Sequence, residues 1–210
     1  MREDIVRHVV PDERNATRLE KMGYVGVIAS YPVRWRPRAE RGAALMSLAA
    51  GAALYYFQVY YYYEDVPADA VSVALTPQTG GAPVEIPTGE VSAIDADSSP
   101  LRYRACFTTN APLKQLRESY TAYDGATPLV SPGWFDCYDA DAIATALDEG
   151  RAEAFLGEAD IRYGIDMVVV VAEDGHGWAW HQINRCGEVV FDGKPAPEGC
   201  APPPEGIARQ

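Results

Sequence analysis

Residues 165–184 read IDMVVVVAEDGHGWAWHQIN. The first eight, Ile165–Ala172, have no polar face. Val168–Val171 are four β-branched residues in succession, a composition that favours a strand buried on both sides and therefore interior to its sheet. Glu173-Asp174-Gly175-His176-Gly177 turns the chain, and Gly177–Asn184 returns antiparallel. Period-two alternation on the return strand puts Trp178, Trp180 and Gln182 on one face and Ala179, His181 and Ile183 on the other.

Flanking segments extend this hairpin into a sheet. Leu101–Thr108 (LRYRACFT) alternates Leu101, Tyr103, Ala105 and Phe107 against Arg102, Arg104, Cys106 and Thr108, as a strand does. Ala70–Leu75 reads as a half-buried strand, Pro77–Pro83 as a loop and Val84–Ile86 as its return. Ala152–Leu156 is a short strand, and Cys186–Asp192 a further one. Ala140–Glu149 is the one clear helix, with Ile143, Ala146 and Leu147 at helical spacing, Asp139 as cap and Gly150 as stop. Pro112–Tyr120 suits a shorter helix. The expected fold is α+β: a small antiparallel-sheet domain over residues 64–193, entered by a linker at Val66–Asp69 and followed by a Pro-rich tail, 194–210.

Ahead of this domain lie 22 residues without a charge, 42–63, GAALMSLAAGAALYYFQVYYYY. As a helix they reach about 33 Å, close to the ~30 Å hydrocarbon core of a bilayer. Arg34, Arg36, Arg38 and Arg41 precede them, and Glu64 and Asp65 follow. Basic flanks stay cytoplasmic, so residues 41–63 are expected to cross the inner membrane once, lipid being their partner, with the N-terminus inside and the domain in the periplasm. Tyr60–Tyr63, the last four of the six tyrosines between Tyr55 and Tyr63, then form an aromatic belt at the outer interface. A cleaved signal peptide ending near Ala50-Gly51-Ala52 is one rival reading, and a buried core helix another. Residues 1–40 read as a poorly ordered cytoplasmic tail.

Charge is divided at the same point. Residues 1–63 hold nine Lys+Arg and six Asp+Glu, net +3; residues 64–210 hold nine and 24, net −15. The acidic body argues against nucleic acid as a partner. All four cysteines follow the apolar segment, on the expected oxidising side, and an even count there implies two disulfides. Of three pairings, Cys186–Cys200 and Cys106–Cys137 are favoured, the first because it closes a local Gly/Pro-rich loop. No CxxC or close Cys/His pair is present, so no metal and no cofactor is expected.

Two stretches carry candidate chemistry. IDADSSPLRYRACF (Ile94–Phe107) gathers Asp95, Asp97, Arg102 and Arg104. It lacks the sixth-position Gly and closing Glu of a calcium loop, and an Asx/Ser turn into a strand explains it more simply. WAWHQINRC (Trp178–Cys186) gathers Trp178, Trp180 and His181. Trp134, Trp178, Trp180, Arg102 and Arg104 are the candidate binding residues. His181, with Asp95 or Asp97, is the candidate acid–base pair, against the simpler reading of a hydrogen-bonded structural histidine. No nucleophile, zinc-protease or phosphate-loop motif accompanies it.

The stretches YYFQVYYYYEDV, IDADSSPLRYRACFTT, PGWFDCYDA, YGIDMVVVV and WAWHQINRCGEVVFDG resemble a domain of unknown function found in single-anchor, chiefly alphaproteobacterial, proteins. The resemblance covers most of residues 41–193, and Met1–Glu40 departs from it. It implies an uncharacterised periplasmic domain behind one anchor and brings no activity, cofactor or catalytic residue. The expected function is a membrane-anchored periplasmic binding or assembly module acting with another envelope or membrane protein. The alternative is a periplasmic hydrolase or small-ligand enzyme using His181.

Overall fold

The computed structural model describes residues 37–206. The tail expected over 1–40 lies almost wholly outside them. The described chain divides into two units, one ending at Ala52 and one beginning at Ala53.

Helix α1, Pro37–Tyr56, runs into a π-helical turn, Phe57–Tyr61. Alanine and leucine, both strong helix formers, dominate its middle. Gly42–Tyr61, 20 residues, is long and apolar enough to cross a membrane, and no part of it is buried. Leu45, Met46, Leu48 and Leu54 are all more than half exposed. A core helix would have its apolar side chains covered, so that rival reading fails.

Unit two contains a six-stranded antiparallel sheet. Its strands are β1 (Glu64–Val66), β4 (Val91–Asp95), β5 (Arg104–Thr108), β6 (Ala152–Arg162), β7 (Ile165–Ala172) and β8 (His176–Ile183), in the spatial order β1-β4-β5-β8-β7-β6. A separate two-stranded ribbon pairs β2 (Ala74–Leu75) with β3 (Val84–Glu85). Helices α2 (Leu113–Ser119), α3 (Ala140–Asp148) and α4 (Arg185–Phe191) complete it. The β7–β8 hairpin forms as its sequence demands, with Val168 opposite Trp180 and Val170 opposite Trp178.

Both faces of the sheet are covered, and alternation sorts the side chains between them. Ala105, Phe107, Phe155, Val169, Val171 and Ala179 point to a first face, under Val73, Leu75 and Ile86 of the ribbon and Leu116 of α2. Ile94, Cys106, Val168, Val170 and Trp180 point to a second, under Phe135, Tyr138 and Ile143 and Ala146 of α3. Full burial of each large apolar side chain contributes about 1.5–3 kcal/mol. The four valines are buried on both sides for this reason.

Several expectations are corrected. Cys186–Asp192 is not a strand: Asn184 Oδ1 accepts the Cys186 and Gly187 amides at 3.0 Å each and starts helix α4 instead. Gly187 packs on Gly164, where a side chain on either would collide with the other's backbone. Among the described residues the domain therefore has three helices: the expected α3, α2 where the shorter helix was expected, and α4 in place of a strand. Val66–Asp69 is not a linker, because Glu64–Val66 pairs with Val91–Asp95 as the sheet edge and Ala68–Ala70 is a 3-10 turn. Val91–Asp95, unrecognised in the sequence, is an interior strand. The Ala70–Leu75 strand shrinks to two residues, and Ala152–Leu156 extends to Arg162 through register shifts beyond Leu156.

The disulfides are Cys106–Cys137 and Cys186–Cys200, with Cα separations of 6.2 and 5.7 Å. The second folds the Pro-rich segment back onto the domain, aided by Tyr163 Oη donating to Ala201 O at 2.8 Å and Arg185 to Glu198 O at 2.9 Å.

Candidate functional site

The candidate binding residues converge in part. Trp134 sits on the irregular chain before α3. Its indole Nε1 donates to the Val59 carbonyl at 2.8 Å, its ring stacks on Tyr60 at 6.2 Å, and Tyr63 meets it edge-on at 6.1 Å. The end of a helix leaves carbonyls without partners, and Trp134 supplies one. Arg102 lies over the Tyr63 ring at 5.4 Å, and its Nη1 is closed to solvent with no hydrogen-bond partner. Tyr60, Tyr63, Trp134 and Arg102 thus make an aromatic collar around the last turn of the apolar helix.

Arg104 braces this collar from within. It is only 4 % exposed, on the second face of β5. Nη1 donates to Leu101 O and Tyr103 O at 2.8 and 2.7 Å, Nε to Leu129 O and Nη2 to Val130 O at 3.1 Å each. The guanidinium also faces the Tyr138 ring at 5.7 Å. One buried cation so satisfies four carbonyls of two loops, which its planar fork of donors allows. Burial raises the Tyr138 phenol well above its ordinary range, although Arg104 opposes the shift. A cavity of about 310 Å³ runs along this chain, lined by Ser131, Asp136, Tyr138, Asp139 and Asp141.

The two hairpin tryptophans are not part of the collar. Trp180 is wholly buried on the second face, its Nε1 donating to Gln182 Oε1 at 3.2 Å. Trp178 lies beside Cys106 in register and donates to Cys137 O at 3.1 Å, doubling the tie already made by the disulfide.

His181 is on the first face, stacked on Tyr103 at 4.8 Å, with Nδ1 2.6 Å from Pro100 O. Burial lowers its pKa; the Pro100 contact and the Asp95 charge act in the opposite direction. Asp95 turns its Oδ1 to the Ala96 amide at 2.8 Å, and Asp97 is exposed in the following turn. Neither carboxylate is hydrogen-bonded to His181. Asp95 acts through its charge, and with burial, the larger cause, it raises the Tyr103 phenol to about 12. This geometry suits a histidine that pins the Pro100 turn against the sheet.

One buried acid escaped the sequence reading. Asp166, at the start of β7, accepts from Asp160 N at 2.9 Å, Asn184 Nδ2 at 2.8 Å and Tyr123 Oη at 3.2 Å. It fixes Asp160, whose φ of 50° no other described non-glycine residue shares in sign. The signal available was a single acid opening an otherwise apolar strand. Among the described residues no three His, Cys, Asp or Glu side chains gather as metal ligands do.

Residues 73–201, more than half of the chain, match a family of unknown function (DUF6446). The chain belongs to that family. The DUF6446 match takes in the ribbon, most of the sheet, Trp134, both disulfides and His181, and begins after the apolar helix and β1. No curated protein and no solved structure matches the chain significantly.

Proposed function

We propose that this protein is a non-enzymatic binding or assembly module of the periplasmic face, held to the inner membrane by residues 41–63 with its N-terminus in the cytoplasm, and acting with another envelope or membrane protein. The observation that carries this reading is the junction at the end of the apolar helix. Two residues, Tyr62 and Tyr63, separate the π-helical turn from β1, and Trp134 clamps the turn at Val59. A free-ranging enzyme gains from a long flexible stem; a module that presents one fixed surface beside its membrane gains from a short braced one. Two disulfides add support, since such bonds persist on the oxidising side of a membrane. The uncharged, exposed helix and the basic-to-acidic charge order favour the same orientation.

Purification of the full chain in mild detergent tests the reading. A second protein is expected to co-purify in fixed stoichiometry, and a reporter that needs export, fused after Gln210, is expected to be active. A lone, monodisperse protein under those conditions removes the assembly role. A reporter active only in the cytoplasm reverses the orientation, and a mature N-terminus near Ala53 turns the anchor into a signal peptide.

A further inference from the structure

We propose that the loop at residues 127–135 is a wedge seated in the headgroup layer of the bilayer, so that the lipid surface is a binding partner of the folded domain as well as of its helix. This rests on the anchored reading above.

Depth is the first argument. Val59 and Tyr60 lie inside the apolar span Gly42–Tyr61, and Trp134 is hydrogen-bonded to one and stacked on the other. Val59 is two residues, or about 3 Å of helix rise, from the end of the span. Trp134 is therefore held at the boundary between hydrocarbon and headgroups, where an indole is favoured on both its apolar and its donor side.

Composition is the second. Residues 127–135, TPLVSPGWF, hold no charged side chain, although the chain from Glu64 onward carries net −15. Val130, at the tip, is 81 % exposed, the most exposed of the large apolar side chains in the described domain. A valine so placed is costly in water and favourable in a lipid interface.

Backbone satisfaction is the third. A loop entering a water-poor layer must bring partners for its own carbonyls. Arg104 donates to Leu129 O and Val130 O from beneath, and Phe135 N closes onto Pro132 O at 3.0 Å. The tip is thus pre-paired on the side that faces the protein, with Val130 outward, while Leu129, Trp134 and Phe135 pack against the second-face core.

The test uses the full chain in phosphatidylcholine nanodiscs, plain or with acyl chains brominated next to the headgroup, bromine being a short-range quencher of tryptophan. Val130→Trp adds a reporter at an exposed position where packing is not disturbed. Its added emission is expected to be lost for the most part in the brominated discs, and the emission that Trp134→Phe removes from the wild type is expected to be quenched likewise. The exposed change Val130→Asp should lift the loop and restore part of the Trp134 emission. Retention of both emissions in brominated lipid, with the protein still resistant to carbonate extraction, overturns the wedge and leaves the anchor standing. Release by carbonate overturns the anchor and the wedge together.

Discussion

The two faces of the sheet solve the same problem by different means. The first face is closed by regular elements: the β2–β3 ribbon and α2 lay Leu75, Ile86 and Leu116 on Phe107, Phe155 and Val169. Their backbone groups bond within the ribbon and the helix and to neighbouring strands, as Thr76 N does to Leu156 O. The second face is closed in large part by an irregular chain, residues 121–139, before α3 begins. Such a chain satisfies only some of its own carbonyls, as Phe135 N does Pro132 O and Tyr138 N does Phe135 O. Donors must come up from the sheet, and they do: Arg104 to Leu129 and Val130, Trp178 to Cys137, with the Cys106–Cys137 bond alongside. Where regular structure is absent, a few named side chains hold what many apolar contacts hold elsewhere.

The largest effect should follow from removing the cation. Arg104→Met keeps the volume and leaves four carbonyls without their donor. At about 1–3 kcal/mol per buried unsatisfied group, partly relieved by relaxation, a loss of about 4 kcal/mol is expected in denaturant titration of the full chain. A loss below 1 kcal/mol would mean that water replaces the guanidinium, and the contrast between faces would collapse. Next comes the covalent tie. Cys106→Ser with Cys137→Ser opens a loop of 31 residues, worth about 3–4 kcal/mol. Hydrogen exchange should then rise in residues 121–139 before it rises in Phe155 or Val169. Equal loosening of both faces would show that they are one cooperative unit.

The first face has one polar handle, and its removal should cost less. His181→Ala leaves Pro100 O unpaired and Tyr103 unstacked, an expected loss of roughly 1–3 kcal/mol in the thermal or denaturant midpoint. An unchanged midpoint would free His181 for chemistry and revive the hydrolase reading. The smallest effect is pH-dependent. Burial holds the folded His181 below its ordinary value of 6.5, so the unfolded chain takes up a proton first as pH falls. Its contribution is complete above 6.5 and is lost as pH falls toward the lower folded value. His181→Gln should flatten that part of the stability profile.

The first face and the hairpin were legible because their signals are local. Val168–Val171 cannot be half-exposed in any register, and the Trp178–Trp180 alternation survives intact. The cysteine pairs were legible from spacing. The second-face cover was not. Arg104 alternates with Ala105 and was named as a candidate binding residue; only the long-range arrival of Leu129 and Val130 makes its site interior. Val91–Asp95 escaped for a related reason, since its pairing with β1 depends on a strand formed by the acidic pair Glu64 and Asp65, a composition that propensity counts against. Cys186–Asp192 has β-favouring Val189 and Val190, yet the Asn184 cap and the glycine contact outweigh them. Of the candidate binding residues, Trp134 and Arg102 were named from separate stretches, and both meet the tyrosine run. That meeting could not be read across separations of 39 residues for Tyr63 and Arg102 and 71 for Tyr63 and Trp134.

The passage from Tyr61 to Glu64 has a mechanical meaning. Many surface-tethered domains hang from a stalk that swivels and that proteases sever, so the domain is shed. Here the stalk has two residues, and both neighbours are engaged, one by Trp134 and one by the edge pairing with Val91–Asp95. Rotation of the last helical turn about its axis has no slack in which to dissipate. The element it meets next is the sheet edge, where Glu64–Val66 pairs with Val91–Asp95.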